Sequence, residues 1–197
     1  MPLRLAEPPQ PLLDAVRETL LGWARRGEFR TPALARAKAD DLGLALPHPV
    51  YALTLQDLAD GRGPEAAQHV AWRFLLQDGE RVVAAVEVGV TGGEPMLNEG
   101  PYVRATADAL SALEQLPDAA AHDYELRLLK VVALYLVAVW LHEGAGADDL
   151  VVPIGEVPPG IEADRPYRAA DLTSELAEPA RAQLAFDSAP EAKPEQS

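Results

Sequence analysis

Cysteine is absent from this 197-residue chain, lysine occurs three times and serine four times, and no hydrophobic run reaches the length of a membrane span. Each shortage excludes something. Without cysteine there is no disulfide, no thiolate metal site and no cysteine nucleophile, and the redox character of the compartment leaves no mark. The serines, at Ser111, Ser174, Ser188 and Ser197, lie in no GxSxG elbow, so a serine hydrolase is not expected. The longest apolar passage, from Val131 to Leu141, has 11 residues, whereas a bilayer crossing takes about 20. The opening "MPLRLAEPPQP" contains no apolar run long enough for a signal peptide. The expectation is a cytoplasmic protein.

Metal and cofactor motifs are equally scarce. His48, His69, His122 and His142 are isolated, and "HEGAG" lacks the second histidine of an HExxH zinc site. The glycine pair in "VGVTGGEPML" follows a strand-like run but has neither the GK[ST] of a P-loop nor GxGxxG spacing. "GADDL" places Asp148 beside Asp149 without the alternating ligands of an EF-hand. No metal, no cofactor and no catalytic residue is expected from these patterns.

What the chain has in excess is negative charge. The formal net charge is −14, which argues against a nucleic-acid partner, because binding phosphates depends on Lys and Arg releasing condensed counterions. Residues 1–47 carry 7 basic and 6 acidic side chains, and residues 48–197 carry 10 and 25. Within the first part, Arg25, Arg26, Arg30, Arg36 and Lys38 are opposed locally by Glu28 alone. They are a solvated face, a set that pairs with the acidic body, or a docking patch for an acidic partner.

Along the chain, Leu12, Val16, Leu20 and Trp23 recur at helical spacing between Pro11 and the terminator Gly27. Thr31 and Pro32 open a second, alanine-faced helix toward Gly43. Val50 to Leu53 read as a short strand, and Thr54 with Asp57 as a capping arrangement. "HVAWRFLLQDGERVVAAVEVGV" is a β-hairpin centred on Asp78-Gly79. With those two residues as the loop, Arg73 faces Ala84, so Arg73 and Glu87 point to opposite faces and cannot be partners. A helix is predicted from Pro101 to Pro117, then a core helix over "AHDYELRLLKVVALYLVAVWLHEG" that ends in His142 and Glu143, with Arg127 pairing to Asp123 one turn earlier. Leu150 to Ile154 form a strand, one or two short helices break at Pro179, and residues from Asp187 onward have the composition of a disordered tail.

The expected fold is α+β: a small, mainly antiparallel sheet built on the hairpin 69–90, packed against a buried core helix at about residues 123–142, with N-terminal helices and a disordered C-terminal tail. It is expected as one domain, 1–186, with 1–46 a helical extension, 47–186 the main body and 187–197 the tail. Buried charges must reach water, a partner or a ligand. Arg73, Glu87 and Arg127, with Asn98 and Glu99 on the loop before a helix, are therefore the ligand-binding candidates. The leading functional expectation is a non-enzymatic adaptor or inhibitor that binds another protein or itself, with no nucleic acid and no membrane. The alternatives are a carboxylate-based enzyme or small-molecule sensor with a pocket near the hairpin and the 92–100 loop, and a subunit of a self-assembling particle.

Overall fold

The computed structural model describes residues 3–37, 41–98, 100–113, 123–144 and 148–188. Helix α1 (Gln10–Arg26) buries Val16 and Leu20 and stops at Gly27, whose φ of 67° lets its N–H turn back to the carbonyl of Ala24. Helix α2 (Pro32–Arg36) is capped by the Thr31 hydroxyl, which accepts from the Leu34 N–H. It has five residues because Leu34 is the one large apolar side chain it can bury. Strand β1 (Leu42–Ala52) is followed by α3 (Leu55–Ala59), which starts in a full capping box between Thr54 and Asp57. Strands β2 (Gln68–Asp78), β3 (Arg81–Gly89) and β4 (Met96–Asn98) lead to α4 (Pro101–Leu113). Then come β5 (Glu125–Val131), β6 (Leu136–His142), β7 (Leu150–Pro153), β8 (Tyr167–Arg168) and α5 (Ala169–Asp187).

The architecture is α+β, with all eight strands in one sheet of order β4-β3-β2-β1-β5-β6-β7-β8. It consists of two four-stranded antiparallel meanders that grow outward from a central parallel pair, β1 and β5. Four packed clusters of described residues cover it, the smallest being Leu75 and Ala85 with Val103 of α4. On one face, here face A, Ala109 and Leu110 of α4 pack on Val50, Leu126, Leu128 and Val139. On the other, face B, Val16, Leu20 and Leu34 of α1 and α2 cover Trp72, Phe74 and Val86. Leu58 of α3 and Leu172 and Leu176 of α5 cover Leu129, Trp140 and Val151 on the same face. Among the described residues, no helix is long and apolar enough to cross a membrane.

Three expectations are corrected. The sheet is large, and the predicted core helix at 123–142 is the β5–β6 hairpin, turning through a 3-10 segment at Val132–Leu134 and a left-handed Tyr135 at φ 54°. Its strands are covered on both faces, so they read as one continuous apolar run, which periodicity alone does not distinguish from a buried helix. The turn also contains no Gly, Pro or Asn to announce it. Second, the β2–β3 loop is Gly79-Glu80, with Asp78 opposite Arg81, and a bulge at Val83 shifts the register again. Arg73 therefore faces Glu87 directly. Third, α5 runs unbroken through Pro179. A proline inside a helix costs about 3 kcal/mol, and the burial of Leu172, Leu176, Ala177 and Ala180 on the same helix offsets it. Asp187, expected in the tail, closes that helix, and residues 189–197 lie outside the described residues.

Candidate functional site

Two bulges in the β1–β2 ladder decide which side chains meet. Between Ala45 and His48, strand β1 carries one residue more than β2, with Leu46 at φ 46°. The extra residue turns His48 onto face A, opposite Arg73. Between Ala71 and His69 the extra residue is Val70 on β2, and it turns His69 onto face B beneath Tyr51.

Face A therefore holds a buried polar cluster. His48, Arg73 and Glu87 are all buried, and both Glu87 oxygens accept from Lys130 Nζ at 2.7 Å. Strands β1 and β2 lie between β3 and β5 in the sheet, so this ion pair joins the two meanders. Burial pushes the Arg73 guanidinium's pKa down, against the pull of Glu87. Burial likewise pushes the His48 imidazole down to about 4, although its Nδ1 bonds the Leu46 carbonyl at 2.6 Å. The ring is neutral at pH 7, with Nδ1–H as donor and Nε2 as a buried acceptor that no described side chain reaches. His48, Arg73 and Glu87 are buried, while the partly exposed Lys130 carries the cluster toward the surface and ties β3 to β5.

Face B carries a cavity of about 310 Å³ whose walls include Tyr51, Glu65, Arg127, Trp140, His142 and Asp149. Arg127 and Trp140 are cross-strand partners on β5 and β6. The Arg127 guanidinium lies 4.7 Å from the Trp140 ring centre and 4.9 Å from that of Tyr51, a double cation–π contact. Its Nε donates to Glu125 Oε1 at 2.7 Å, and its Nη atoms have no hydrogen-bond partner among the described residues. Next along β6, His142 packs edge-on against Trp140. Asp149, just before β7, is buried and accepts three hydrogen bonds: from Trp140 Nε1 at 2.7 Å, from His142 Nδ1 at 3.0 Å and from the Glu143 backbone N–H at 2.8 Å. With Nδ1–H given to Asp149, the His142 Nε2 is left as a hydrogen-bond acceptor for a ligand.

The structure separates the sequence candidates. Arg73 and Glu87 meet on face A, Arg127 stands on face B paired with Glu125, and Asp123 instead lies 3.9 Å from Arg4. Asn98 is exposed on the edge strand β4, and Glu99 lies outside the described residues. By register Asn98, opposite Ala85, shares face A with Arg73 and Glu87, whereas Arg127 stands on the other face. Of the basic group, Arg25, Arg30 and Arg36 are exposed, Arg26 forms a two-bond ion pair with Glu28, and Lys38 lies outside the described residues. His142 and Glu143, expected at a helix end, close strand β6. Tyr51, Trp140 and Asp149 were missed as site residues. A period-two reading would have found part of the set, since Arg127 and Leu129, or Trp140 and His142, share a face only in a strand.

These features define an α+β fold with an aromatic-walled cavity over face B of a mixed sheet. No protein family, no curated protein and no solved structure matches this chain.

Proposed function

We propose that the chain is a small-molecule-binding domain whose face-B cavity recognises a ligand through a carboxylate or similar planar oxyanion. The observation that carries this reading is Arg127. Its guanidinium packs against both rings of an edge-to-face aromatic pair, its Nε is committed to Glu125, and its Nη atoms, unpaired among the described residues, belong to a side chain that lines the cavity. A guanidinium so fixed loses little freedom on binding and matches a two-oxygen anion. This reading takes the sensor alternative away from the hairpin corner, where Glu87 is committed to Lys130.

The test is titration with acetate, propionate and butyrate, followed by amide spectra that include the Trp140 indole N–H. Binding is expected to shift the Trp140 and His142 signals, and Arg127→Met is expected to weaken it at least tenfold, from a charge-assisted hydrogen bond of about 1.5–3 kcal/mol. Arg127→Lys, which keeps the charge but not the fork, is expected to rescue it only in part. Unchanged spectra, or equal binding by Arg127→Met, overturn the reading.

A second reading, docking of a basic protein, is supported by the net charge of −14 and by Val132 and Tyr135, which are 75% and 80% exposed at the β5–β6 tip. Cosedimentation with polylysine is expected to retain a salt-resistant component that Val132→Ser with Tyr135→Ser removes. Association that salt abolishes completely in both proteins counts against it.

A further inference from the structure

We infer that the ligand of the face-B cavity is a small zwitterion, an amino acid with its carboxylate on Arg127 and its ammonium on Glu65; this rests on the carboxylate reading above. The charges available to a ligand follow by elimination. Asp149 lines the cavity, but both of its oxygens are engaged by Trp140, His142 and the Glu143 N–H. Glu125 is held by Arg127 Nε. What is left is the Arg127 Nη edge and one oxygen of Glu65, whose other oxygen accepts the Gly63 N–H at 2.8 Å.

Glu65 is positioned rather than adrift. It sits in a 3-10 turn, Pro64–Ala66, anchored by the buried Gly63 backbone. A side chain at 63 would start 2.6 Å from Thr173 Oγ1 and 2.8 Å from Glu65 Oε2, so the glycine allows both the close approach to α5 and the placement of the carboxylate. A purely anionic ligand would meet Glu65 on the wall and a net charge of −14 around it. An ammonium answers both. The remaining lining, Pro64, Ala67 and Ala169 with the two aromatic rings, suits a short apolar body. A volume of 310 Å³ equals that of about ten water molecules, room for a small amino acid together with several waters.

The experiment uses three matched series: glycine, β-alanine, γ-aminobutyrate and 5-aminovalerate; the alkanoates of the same lengths; and the corresponding alkylamines. Dissociation constants come from the Trp140 indole signal. One amino acid is expected to bind at least tenfold tighter than either singly charged relative, the preferred length reporting the Arg127-to-Glu65 span. Glu65→Gln, which keeps the acceptor for Gly63, is expected to erase that advantage, the amino acid binding more weakly and the alkanoate, relieved of the opposing carboxylate, no more weakly than before. If the alkanoate binds as tightly as the best amino acid, or Glu65→Gln leaves the ratio unchanged, the zwitterion is excluded and the carboxylate reading stands. If no acid of either series binds, both fall.

Discussion

Replacing Glu87 by alanine is expected to lower the unfolding free energy by about 3–5 kcal/mol, because it leaves buried positive charge without its counter-charge. Arg73 is 3% exposed, with Nε and Nη2 reaching no described partner, so the carboxylate opposite it on β3 is its nearest neutralising group. Lys130 would lose both of its hydrogen bonds and with them the link between the meanders. Urea denaturation measures the loss, and a change below about 1 kcal/mol would show the charges to be better solvated than their burial implies. Replacing Arg73, Glu87 and Lys130 together by apolar residues of similar volume is expected to cost far less than Glu87→Ala alone, since breaking a buried pair is worse than removing it.

The same cluster sets the acid response. His48 takes up a proton near pH 6.5 in the unfolded chain but only near pH 4 in the fold. Between those values the unfolded state binds more protons, so stability is complete above about pH 6.5 and falls as pH drops toward 4, by up to roughly 3 kcal/mol. His48→Asn is expected to flatten that part of the profile.

The second large effect is expected at Asp149. Truncation to alanine strands the Trp140 indole N–H, the His142 Nδ1 and the Glu143 N–H around an empty position, and Trp140 and Asp149 are both buried. The expected cost is again about 3–5 kcal/mol, the range for removing one member of a buried charged network. A double-mutant cycle separates causes: Trp140→Phe with Asp149→Ala should cost less than the sum of the singles, because no indole donor is then orphaned. Strict additivity would mean that the indole bond contributes nothing, and the cavity wall would need another explanation. Because the pair shapes the wall beside Arg127, Asp149→Ala should also weaken carboxylate binding.

Local signals account for the elements the sequence revealed. Proline, threonine and glycine at the ends of α1 and α2, and the Thr54–Asp57 box, act within a turn of chain, so their meaning survives without tertiary context. The β2–β3 hairpin was legible for the same reason, through two apolar β-rich runs flanking Asp78 and a Gly79 with φ of 61°. Arg73, Glu87 and Arg127 stood out because a charge among apolar neighbours is costly wherever it lies. Which partner each would find was not legible. A one-residue bulge inverts every side chain beyond it, and three bulges lie in the β1–β2 and β2–β3 ladders. The β5–β6 hairpin was misread because a strand covered on both faces loses the alternation that marks a strand.

By itself, then, the sequence determined the chemistry that is absent, the class of the fold, the caps and turns, and the need for buried charges to be answered. The tertiary structure decided the two faces: that Arg73 and Glu87 stand opposite each other on face A with Glu87 bonded to Lys130, while Arg127 opens on a cavity with Tyr51, Trp140 and the His142–Asp149 pair. Caps and turns depend on neighbours a few residues away, whereas the assignment of a side chain to one face depends on registers set between strands distant in the chain.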